Sequence, residues 1–340
     1  MTKFDLKSMV RPNIWELTPY SSARDEFTGK EGIFLDANEN PFGSRNRYPD
    51  PHQRKLKLEL SNRNNIAVDN IFIGNGSDEV IDLVYRIFCE PSKDSVIICP
   101  PTYGMYEVSA NINNVNIIKI ALNDEFELDT ELILSKSAKC IFICSPNNPT
   151  GNNLKNIEKI LDQFNGIVVV DEAYIDFSDS QGFLNAIYKY PNLIVMQTFS
   201  KAWALAKARV GIAYSNKEII ALMDKTKPPY NVSGFNQQEA LNALTKPEKF
   251  EERVDVILEQ RKLLEKELSQ LAFVEHIFPS NANFLLVKMS NAGGIYKYLV
   301  SNNVIVRNRD TVVPGCIRIT VGSPHENKIL IDALKNYKSY

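Results

Sequence analysis

Lys201 is the residue whose type and position carry the most chemistry in this chain. It lies in the segment TFSKAW at 198–203, just after the apolar run 193–196. A lysine held at the end of a buried strand is desolvated, which lowers the pKa of its amine and frees the amine to attack a carbonyl. The segment therefore predicts a Schiff-base lysine, with a solvated turn residue as the alternative.

Two polar segments upstream of Lys201 supply groups that a pyridoxal ring needs. They are SPNNPTG at 145–151 and DEAY at 171–174, and each follows an apolar run. Ligands of α/β sheets bind outside the carboxyl ends of the strands. A carboxylate at Asp171 can keep a pyridinium nitrogen protonated, while Asn148 can donate to a phenolate oxygen and Tyr174 can bring its hydroxyl to the same ring. A helix cap at Asp171 and a turn at Asn148 are the alternatives.

Other residues offer a phosphate site and a stacking ring. The segment GNGSDE at 74–79 follows a short apolar run and opens a helical pattern, so its free N–H groups can bind a phosphate at Gly76, Ser77 and Asp78. A plain capped helix start is the alternative. Arg209 can clamp a phosphate bidentately. Tyr103 follows another apolar run and can stack on a planar ligand, or lie in the core.

Composition limits the classes to which the chain can belong. At 340 residues it exceeds one ordinary core and fits two domains. With 44% hydrophobic and 24% charged residues it has the composition of a soluble globular protein. Its 39 basic and 41 acidic side chains give a net charge of −2, and no basic stripe interleaved with aromatics is present. Nucleic acid is therefore not expected as a partner.

The sequence gives no sign of export, membrane insertion or metal binding. No apolar run approaches the roughly 20 residues that span a bilayer, and the N-terminus lacks the apolar core of a signal peptide. A cytoplasmic location is therefore expected. The 5 cysteines form no C-x-x-C pair, which predicts reduced core residues. The 3 histidines lie in different contexts, so no metal site is expected.

Alternating helical and β-rich patterns predict an α/β fold with a mostly parallel sheet covered by helices. We predict an N-terminal arm at 1–30, a large domain at 31–230 and a small α+β domain at 231–340. Apolar positions from 254 to 271 predict one long helix in the small domain, and a closing helix ends the chain. The predicted strands are 71–73, 95–99, 116–121, 140–144, 167–170, 193–196 and 210–214 in the large domain, and 283–288, 304–306 and 316–321 in the small one.

Together these motifs resemble the class II branch of the fold type I pyridoxal-phosphate aminotransferases. The resemblance rests on SPNNPTG at 145–151, DEAY at 171–174, and SKA at 200–202 with Arg209. Five more segments resemble members that act on histidinol phosphate: YSSAR at 20–24, LDANENPFG at 35–43, RYPD at 47–50, GSDE at 76–79 and RITVG at 318–322. The match runs from about residue 10 to the C-terminus and implies an aspartate aminotransferase-like fold with a seven-stranded sheet.

The resemblance implies a role for each matching residue toward pyridoxal 5'-phosphate. Lys201 would form the Schiff base, Asp171 would pair with the pyridine nitrogen, and Tyr103 would stack on the ring. Asn148 and Tyr174 would bind the 3-oxygen. The cofactor phosphate would be held by Gly76, Ser77, Asp78, Ser200, Arg209 and, from the other subunit, Tyr48. That last contact implies a homodimer with a shared active site.

The same resemblance implies the substrate contacts. Arg318 would bind the carboxylate of the amino-acid substrate. Arg307, with Tyr20 and Asn38, would meet the phosphate of histidinol phosphate or the distal carboxylate of glutamate, since a planar guanidinium suits both anions. A surface strand residue is the alternative for Arg307. One departure from the family is Lys207, which stands where a glycine is usual, so the backbone before Arg209 cannot use glycine's freedom there.

The implied activity is a ping-pong transamination in histidine biosynthesis. It would convert histidinol phosphate and 2-oxoglutarate to imidazole acetol phosphate and glutamate. An aromatic amino-acid aminotransferase and a phosphoamino-acid decarboxylase of the same fold are the nearest alternatives. A non-catalytic pyridoxal-phosphate sensor would be expected to carry a helix-turn-helix domain ahead of the fold. A nicotinamide dehydrogenase would need a third glycine where Glu79 stands.

Overall fold

Within residues 4–21 and 32–338, which the computed structural model describes, the chain forms one seven-stranded and one four-stranded sheet. The strand order of the larger sheet is β1-β7-β6-β5-β4-β2-β3, and every pairing is parallel except those of β7 with its two neighbours. The predicted α/β class and mostly parallel sheet are thus confirmed. Its strands are β1 Ile71–Asn75, β2 Ser95–Ile98, β3 Asn116–Lys119, β4 Cys140–Cys144, β5 Ile167–Asp171, β6 Leu193–Thr198 and β7 Val210–Tyr214.

The seven-stranded sheet is buried on both faces by helices. Successive residues of β4 alternate between two apolar clusters, with Ile141 and Ile143 on one side and Cys140 and Phe142 on the other. Strands covered on both faces read as continuous apolar runs, which is why the sequence located every strand of this sheet except β3 by that signal; the edge strand β3 is only partly buried and is marked by its two isoleucines. The helices that come before the smaller sheet and its helices in the chain are α1 Leu6–Met9, α2 Pro12–Trp15, α3 Arg54–Asn64, α4 Ser77–Phe88, α5 Met105–Ile112, α6 Thr130–Leu134, α7 Ile157–Gln163, α8 Lys217–Thr226 and α9 Gly234–Leu244.

The smaller sheet is antiparallel, with the order β10-β11-β9-β8. Leu264, Ile295 and Leu330 are among the residues that three helices contribute to one core against this sheet. The strands are β8 Val274–Ile277, β9 Phe284–Met289, β10 Arg307–Asn308 and β11 Cys316–Thr320, and the helices are α10 Pro247–Leu268, α11 Ala292–Ser301 and α12 Pro324–Lys335.

Three predictions for this region were wrong in detail. Residues 304–306 form no strand, because the Val304 N–H donates to Leu299 at 2.9 Å and closes the end of α11, so the strand begins only at Arg307. Helix α10 ends at Leu268, which leaves Leu271 outside it. Strand β8 was missed because half its side chains are exposed and its apolar alternation is weak. The proposed division into an arm and two domains stays a prediction.

The sheet brings distant segments to one edge. Because β1, β2, β4, β5 and β6 run in the same direction, their carboxyl ends meet at that edge. Strand β7 runs the other way, so its first residue, Val210, pairs with Asn75 at the end of β1. The residue that precedes β7, Arg209, therefore lies at the same edge as the residues that follow the other strands.

The described residues contain no helix long and apolar enough to cross a membrane. They also contain no group of three or more metal-ligating side chains. All five cysteines are buried and free of disulfide bonds, as the sequence predicted.

Gly211 provides a test of the close contact between β7 and the segment that follows β1. A Cβ at this position would overlap the backbone of Gly76 and Ser77. We therefore expect Gly211→Ala to lower the free energy of unfolding by about 1–3 kcal/mol, as other overpacked sites do. Urea denaturation would measure the change.

Gly293 is the matched control for this substitution. It lies near the start of α11, and a Cβ there would meet nothing within 4 Å. Gly293→Ala should be neutral or stabilise the fold by up to about 1 kcal/mol. Equal unfolding midpoints for the two variants would contradict the proposed contact.

Candidate active site

A cavity of about 710 Å³ opens at the carboxyl edge of the seven-stranded sheet and reaches the smaller sheet. It unites residues that lie far apart in the sequence, from the start of α4 to β11. Eleven of the fifteen predicted site residues line it: Ser77, Asp78, Tyr103, Asn148, Asp171, Tyr174, Ser200, Lys201, Arg209, Arg307 and Arg318.

Lys201 lies in the turn between β6 and β7, and buried aromatic neighbours hold the turn in place. Phe199 and Trp203 flank it with their rings 5.4 Å apart, and the Leu205 N–H donates to the Phe199 carbonyl at 2.9 Å. The side chain points into the open cavity, with its Nζ 5.5 Å from the centre of the Tyr174 ring. Desolvation by the surrounding protein lowers the pKa of Lys201, and the charge of Arg318 lowers it further.

Asp171 ends β5 and is only 3% exposed. Its two carboxylate oxygens accept hydrogen bonds from the Tyr106 hydroxyl at 2.6 Å and the Ala173 N–H at 3.0 Å. Burial raises the pKa of Asp171, whereas both hydrogen bonds and the charge of Lys201 oppose that rise. The arrangement is a buried carboxylate held in one orientation by two donors.

Asn148 and Tyr174 form a polar pair near Lys201. The Asn148 side-chain amide donates to the Tyr174 hydroxyl at 3.3 Å, while its carbonyl oxygen accepts from Arg318 Nη1. Burial raises the pKa of Tyr174 above its ordinary value, so this hydroxyl stays protonated at neutral pH. The pair connects the sheet edge to β11 of the smaller sheet.

The start of α4 offers donors for a phosphate. Ser77 is the first residue of the helix, and N–H groups of a first helical turn have no partner within the helix. Gly76 has a φ of +75°, and a Cβ there would collide with the Arg209 guanidinium. The buried Ser200 hydroxyl has no hydrogen-bond partner among the residues that the structure describes. Together these groups form a cradle whose hydrogen-bond donors could bind a phosphate.

Asp78 contacts two other predicted ligands. Its carboxylate accepts from the Tyr103 hydroxyl at 3.1 Å and from Arg209 Nη2 at 2.9 Å. A carboxylate would repel a phosphate, so the side chain of Asp78 orients Tyr103 and Arg209, and only its N–H is suited to the anion.

Arg209 adopts a left-handed conformation, with a φ of +52°. That region costs a non-glycine residue on the order of 1 kcal/mol, and such strain is common at functional sites. Lys207 lies in a short 3-10 turn, Ala206–Ala208, and has no positive φ. The missing glycine at position 207 is therefore tolerated, because the positive φ values in this turn fall on Ala204 and Arg209 instead.

Three arginines form the wall of the cavity that the smaller sheet contributes. Arg307 and Arg318 pair across β10 and β11, and Arg309 follows β10 on the same side as Arg307. Burial lowers the pKa of Arg318 and of Arg309, and the other guanidinium groups add to the shift. The cavity thus has a cationic wall suited to anionic substrates.

The structure does not bring Tyr20, Asn38 and Tyr48 to the cavity of their own chain. Tyr20 is 74% exposed, and Asn38 is exposed with a φ of +53°. Tyr48 is 51% exposed and stacks on Tyr230 at a ring distance of 4.4 Å. The substrate and cofactor roles assigned to these three residues stay predictions.

Sequence analysis missed two residues of the site. Tyr106 is fully buried in α5 and carries no motif that marks it, so only the folded structure reveals its bond to Asp171. Arg309 had a usable signal: it lies two positions after Arg307, and alternate residues of a strand share a face.

The chain is similar to known proteins along nearly its whole length. The family model for aminotransferase class I and II matches residues 29–334. A relative from Cytophaga hutchinsonii, named histidinol-phosphate aminotransferase, is 52% identical over 98% of this chain and 99% of its own.

Solved structures show the same fold. The histidinol-phosphate aminotransferase from Clostridium acetobutylicum aligns with a TM-score of 0.78 at 26% identity, covering 86% of this chain and 90% of that one. The same enzyme from Sinorhizobium meliloti, in complex with pyridoxal-5'-phosphate, aligns with a TM-score of 0.78 at 23% identity, covering 95% of each chain.

The cavity fits the cofactor that the family uses. A desolvated amine, a buried carboxylate and a phosphate cradle with an unpaired serine hydroxyl are the groups that pyridoxal phosphate requires. Since the family model covers most of the chain and a close relative matches nearly all of it, this protein belongs to the class I and II aminotransferases, the pyridoxal-phosphate-dependent transferases.

Proposed function

We propose that this enzyme transfers the amino group of histidinol phosphate to 2-oxoglutarate, giving imidazole acetol phosphate and glutamate in histidine biosynthesis. The observation that carries the proposal is the 52% identity, over nearly the whole chain, to a relative named for this activity. The cationic wall of the cavity agrees with it. The phosphorus of histidinol phosphate and the distal carboxyl carbon of glutamate lie the same number of bonds from the carbon that bears the amine, so one set of arginines can receive both in turn.

Bound pyridoxal phosphate accepts the amino group from one substrate, passes it to the next, and takes up the electron pair that the departing Cα proton leaves. The protein's own groups move the proton. The lowered pKa of the Lys201 amine favours its neutral form, which can bond to the cofactor's aldehyde. Once displaced, this amine can remove the Cα proton of the substrate and return it to the former aldehyde carbon, two bonds away. Asp171, held by Tyr106 and Ala173, would keep a proton on the ring nitrogen.

The remaining residues position the reactants in this proposal. Tyr103 would cover one face of the ring, and Asn148 with Tyr174 would bind the 3-oxygen. Arg318 would bind the α-carboxylate of glutamate, and Arg307, Tyr20 and Asn38 would meet the distal anion. The phosphate of the cofactor would lie among Gly76, Ser77, Asp78, Ser200 and Arg209.

The proposed enzyme is a cytoplasmic homodimer in which Tyr48 of one subunit completes the phosphate site of the other. Three apolar side chains between residues 32 and 48 are almost fully exposed: Ile33 at 92%, Leu35 at 88% and Phe42 at 84%. Exposed apolar surface of this kind marks protein contacts, and a second copy of the chain would cover it. Tyr48, on the same segment and half-exposed, is available to reach a neighbouring subunit.

The proposed activity predicts a spectral change in a single half-reaction. Protein loaded with pyridoxal phosphate should show a visible absorption band, because the Lys201 amine bonds to the cofactor. Histidinol phosphate added without a keto acid should convert this band to that of the aminated cofactor. A band that responds to phenylalanine or threonine phosphate, but not to histidinol phosphate, would contradict the substrate.

Lys201→Ala should abolish steady-state transamination and leave the fold intact, since the amine that moves the proton is gone. Lys207→Ala is the matched control, because this lysine lies exposed six positions later, outside the cavity. Circular dichroism would check the fold of both variants. Appreciable turnover by Lys201→Ala would contradict the assigned role.

Tyr106→Phe should weaken the ionisation of Asp171. Removing the hydroxyl removes a hydrogen bond that favours the carboxylate, so the pKa of Asp171 rises further above its ordinary value. Asp171 then stays neutral to a higher pH, and the acid limb of the kcat profile should move to higher pH. On the acid limb of the profile we expect kcat to fall about 10- to 100-fold, the usual effect of one hydrogen bond to a charged group.

Tyr85→Phe is the control for the loss of a buried tyrosine hydroxyl. Tyr85 is as buried as Tyr106 and stacks on the same Phe142, but its hydroxyl donates to the Tyr106 carbonyl at 2.7 Å and does not contact Asp171. The acid limb of the kcat profile of Tyr85→Phe should therefore stay in place. If the two variants shift that limb equally, Tyr106 acts through packing alone.

Hybrid dimers test the shared site. Lys201→Ala and Tyr48→Ala chains should each have little activity as homodimers, because every site then lacks one group. Unfolding and refolding them together should restore about a quarter of the wild-type sites, since half the dimers are hybrids and each hybrid has one complete site. Refolding Tyr48→Ala with a chain that carries both substitutions should restore nothing, and recovery in that control would contradict the shared site.

A further inference from the structure

Arg309 lines the cavity but has no role in the mechanism proposed above. It follows β10 directly, two positions after Arg307, and both side chains line the cavity together with Arg318. Arg318 already contacts Asn148. Neither Arg307 nor Arg309 makes a side-chain hydrogen bond or an ion pair with any residue of the described chain.

The backbone holds Arg309 firmly. Its N–H donates to the Cys316 carbonyl at 3.0 Å, and its own carbonyl accepts from the N–H groups of Val312 and Val313 at 2.8 Å each. These bonds close the loop between β10 and β11. The guanidinium is therefore presented from a rigid turn, which makes it suitable for a defined contact.

The positive charge and the buried donor of the Arg309 side chain are poorly compensated by the groups around them. The Nε of Arg309 and the Nε of Arg318 are both buried, and neither has a hydrogen-bond partner within residues 4–21 and 32–338. Burial, followed by the charges of Arg318 and Arg307, lowers the pKa of Arg309. Buried donors and clustered positive charges without partners destabilise a protein, so this wall is arranged for an anion that arrives with the substrate.

The two substrates differ in the charge they bring to this wall. A phosphate monoester has a second pKa near 6 and is mostly a dianion at neutral pH, with three acceptor oxygens. The distal carboxylate of glutamate has one charge and two oxygens. A single planar guanidinium satisfies a carboxylate, whereas a dianionic phosphate has oxygens left for a second one.

We propose that Arg309 is a specificity-determining residue that forms, with Arg307, a two-guanidinium subsite selecting the dianionic phosphate ester over the distal carboxylate. The inference rests on the proposed function and deepens it by naming the group that distinguishes the two substrates of the same site. Arg307 serves both anions, and Arg309 contributes mainly when the phosphate is bound.

Binding of unreactive anions to the cofactor-loaded enzyme tests this subsite. Glycerol 3-phosphate carries the phosphate and glutarate carries two carboxylates, and neither has an amine to react. Calorimetry should show that Arg309→Gln raises the Kd of glycerol 3-phosphate by about 10- to 100-fold and that of glutarate by less than about 3-fold. Arg309→Lys should fall between, because it keeps the charge and loses the planar fork.

The pH dependence of binding provides a second measurement. In the wild-type enzyme, affinity for glycerol 3-phosphate should rise from pH 5.5 to 7.5 as the phosphate becomes a dianion, at about pH 6. Arg309→Gln should flatten this rise, whereas a purely structural effect would shift affinity equally at every pH. Arg253→Gln, which removes an exposed arginine from α10, should leave both the affinities and the slope unchanged.

The outcomes separate the inference from the function on which it rests. Equal losses for both anions, no loss for either, or an unchanged pH slope in Arg309→Gln would overturn the subsite, as would failure of the wild-type enzyme to bind glycerol 3-phosphate. If the expected selective loss appears but histidinol phosphate fails to convert the cofactor band, the phosphate subsite stands and the proposed substrate is wrong.

Discussion

Burial of the Asp171 carboxylate is the constraint on which the rest of the site depends. A charge removed from water at the end of β5 is costly unless donors and an opposite charge surround it. The Tyr106 hydroxyl and the Ala173 N–H supply the donors, and Lys201 supplies the opposite charge whenever its amine is protonated. The protein around the cavity also desolvates Lys201 in part, so one edge of the sheet serves both the carboxylate that would hold the ring nitrogen and the base that would move the proton.

The donors to Asp171 are themselves held by the core. Tyr106 is fully buried in α5 and stacks on Phe142 of β4, which also contacts Tyr85. Tyr85 donates to the Tyr106 backbone carbonyl and so fixes α5 against α4. The stacking of Tyr85 and Tyr106 on Phe142, which Tyr85→Phe would keep, chiefly sets the position of the hydroxyl that supports Asp171, and it links the packing of the sheet to the chemistry at its edge.

Positive charge dominates the opposite side of the cavity. Arg307, Arg309 and Arg318 come from the smaller sheet, where antiparallel pairing sets Arg307 beside Arg318. At the phosphate end, Asp78 contacts both Tyr103 and Arg209 and offsets one positive charge there. The cavity thus has one end built by the large sheet and a cationic wall built by the small one, with Asn148 connecting them through Arg318.

Much of the large sheet and most of its site residues could be predicted because their signals are local. A strand buried on both faces is a continuous apolar run, and polar residues that follow such runs must lie at the strand ends, which located Asp171 and Lys201. Strands β8 and β10 of the smaller sheet were harder, because β8 is half-exposed, β10 has only two residues, and residues 304–306 serve the end of α11. Tyr106 could not be found, since its hydrogen bond depends on how α5 packs over β5.

The sequence by itself determined the chemical types of the site, the alternation that forms the large sheet, and the family to which the chain belongs. Only the tertiary structure decided which groups meet. It set β7 antiparallel and so brought Arg209 beside the start of α4, and it placed Tyr106 beneath Asp171. It also gathered three arginines on one wall, where no carboxylate of the described part of the chain pairs with them. The physical reason is that residue type and spacing act along the chain, whereas desolvation and charge compensation depend on neighbours that only packing brings together.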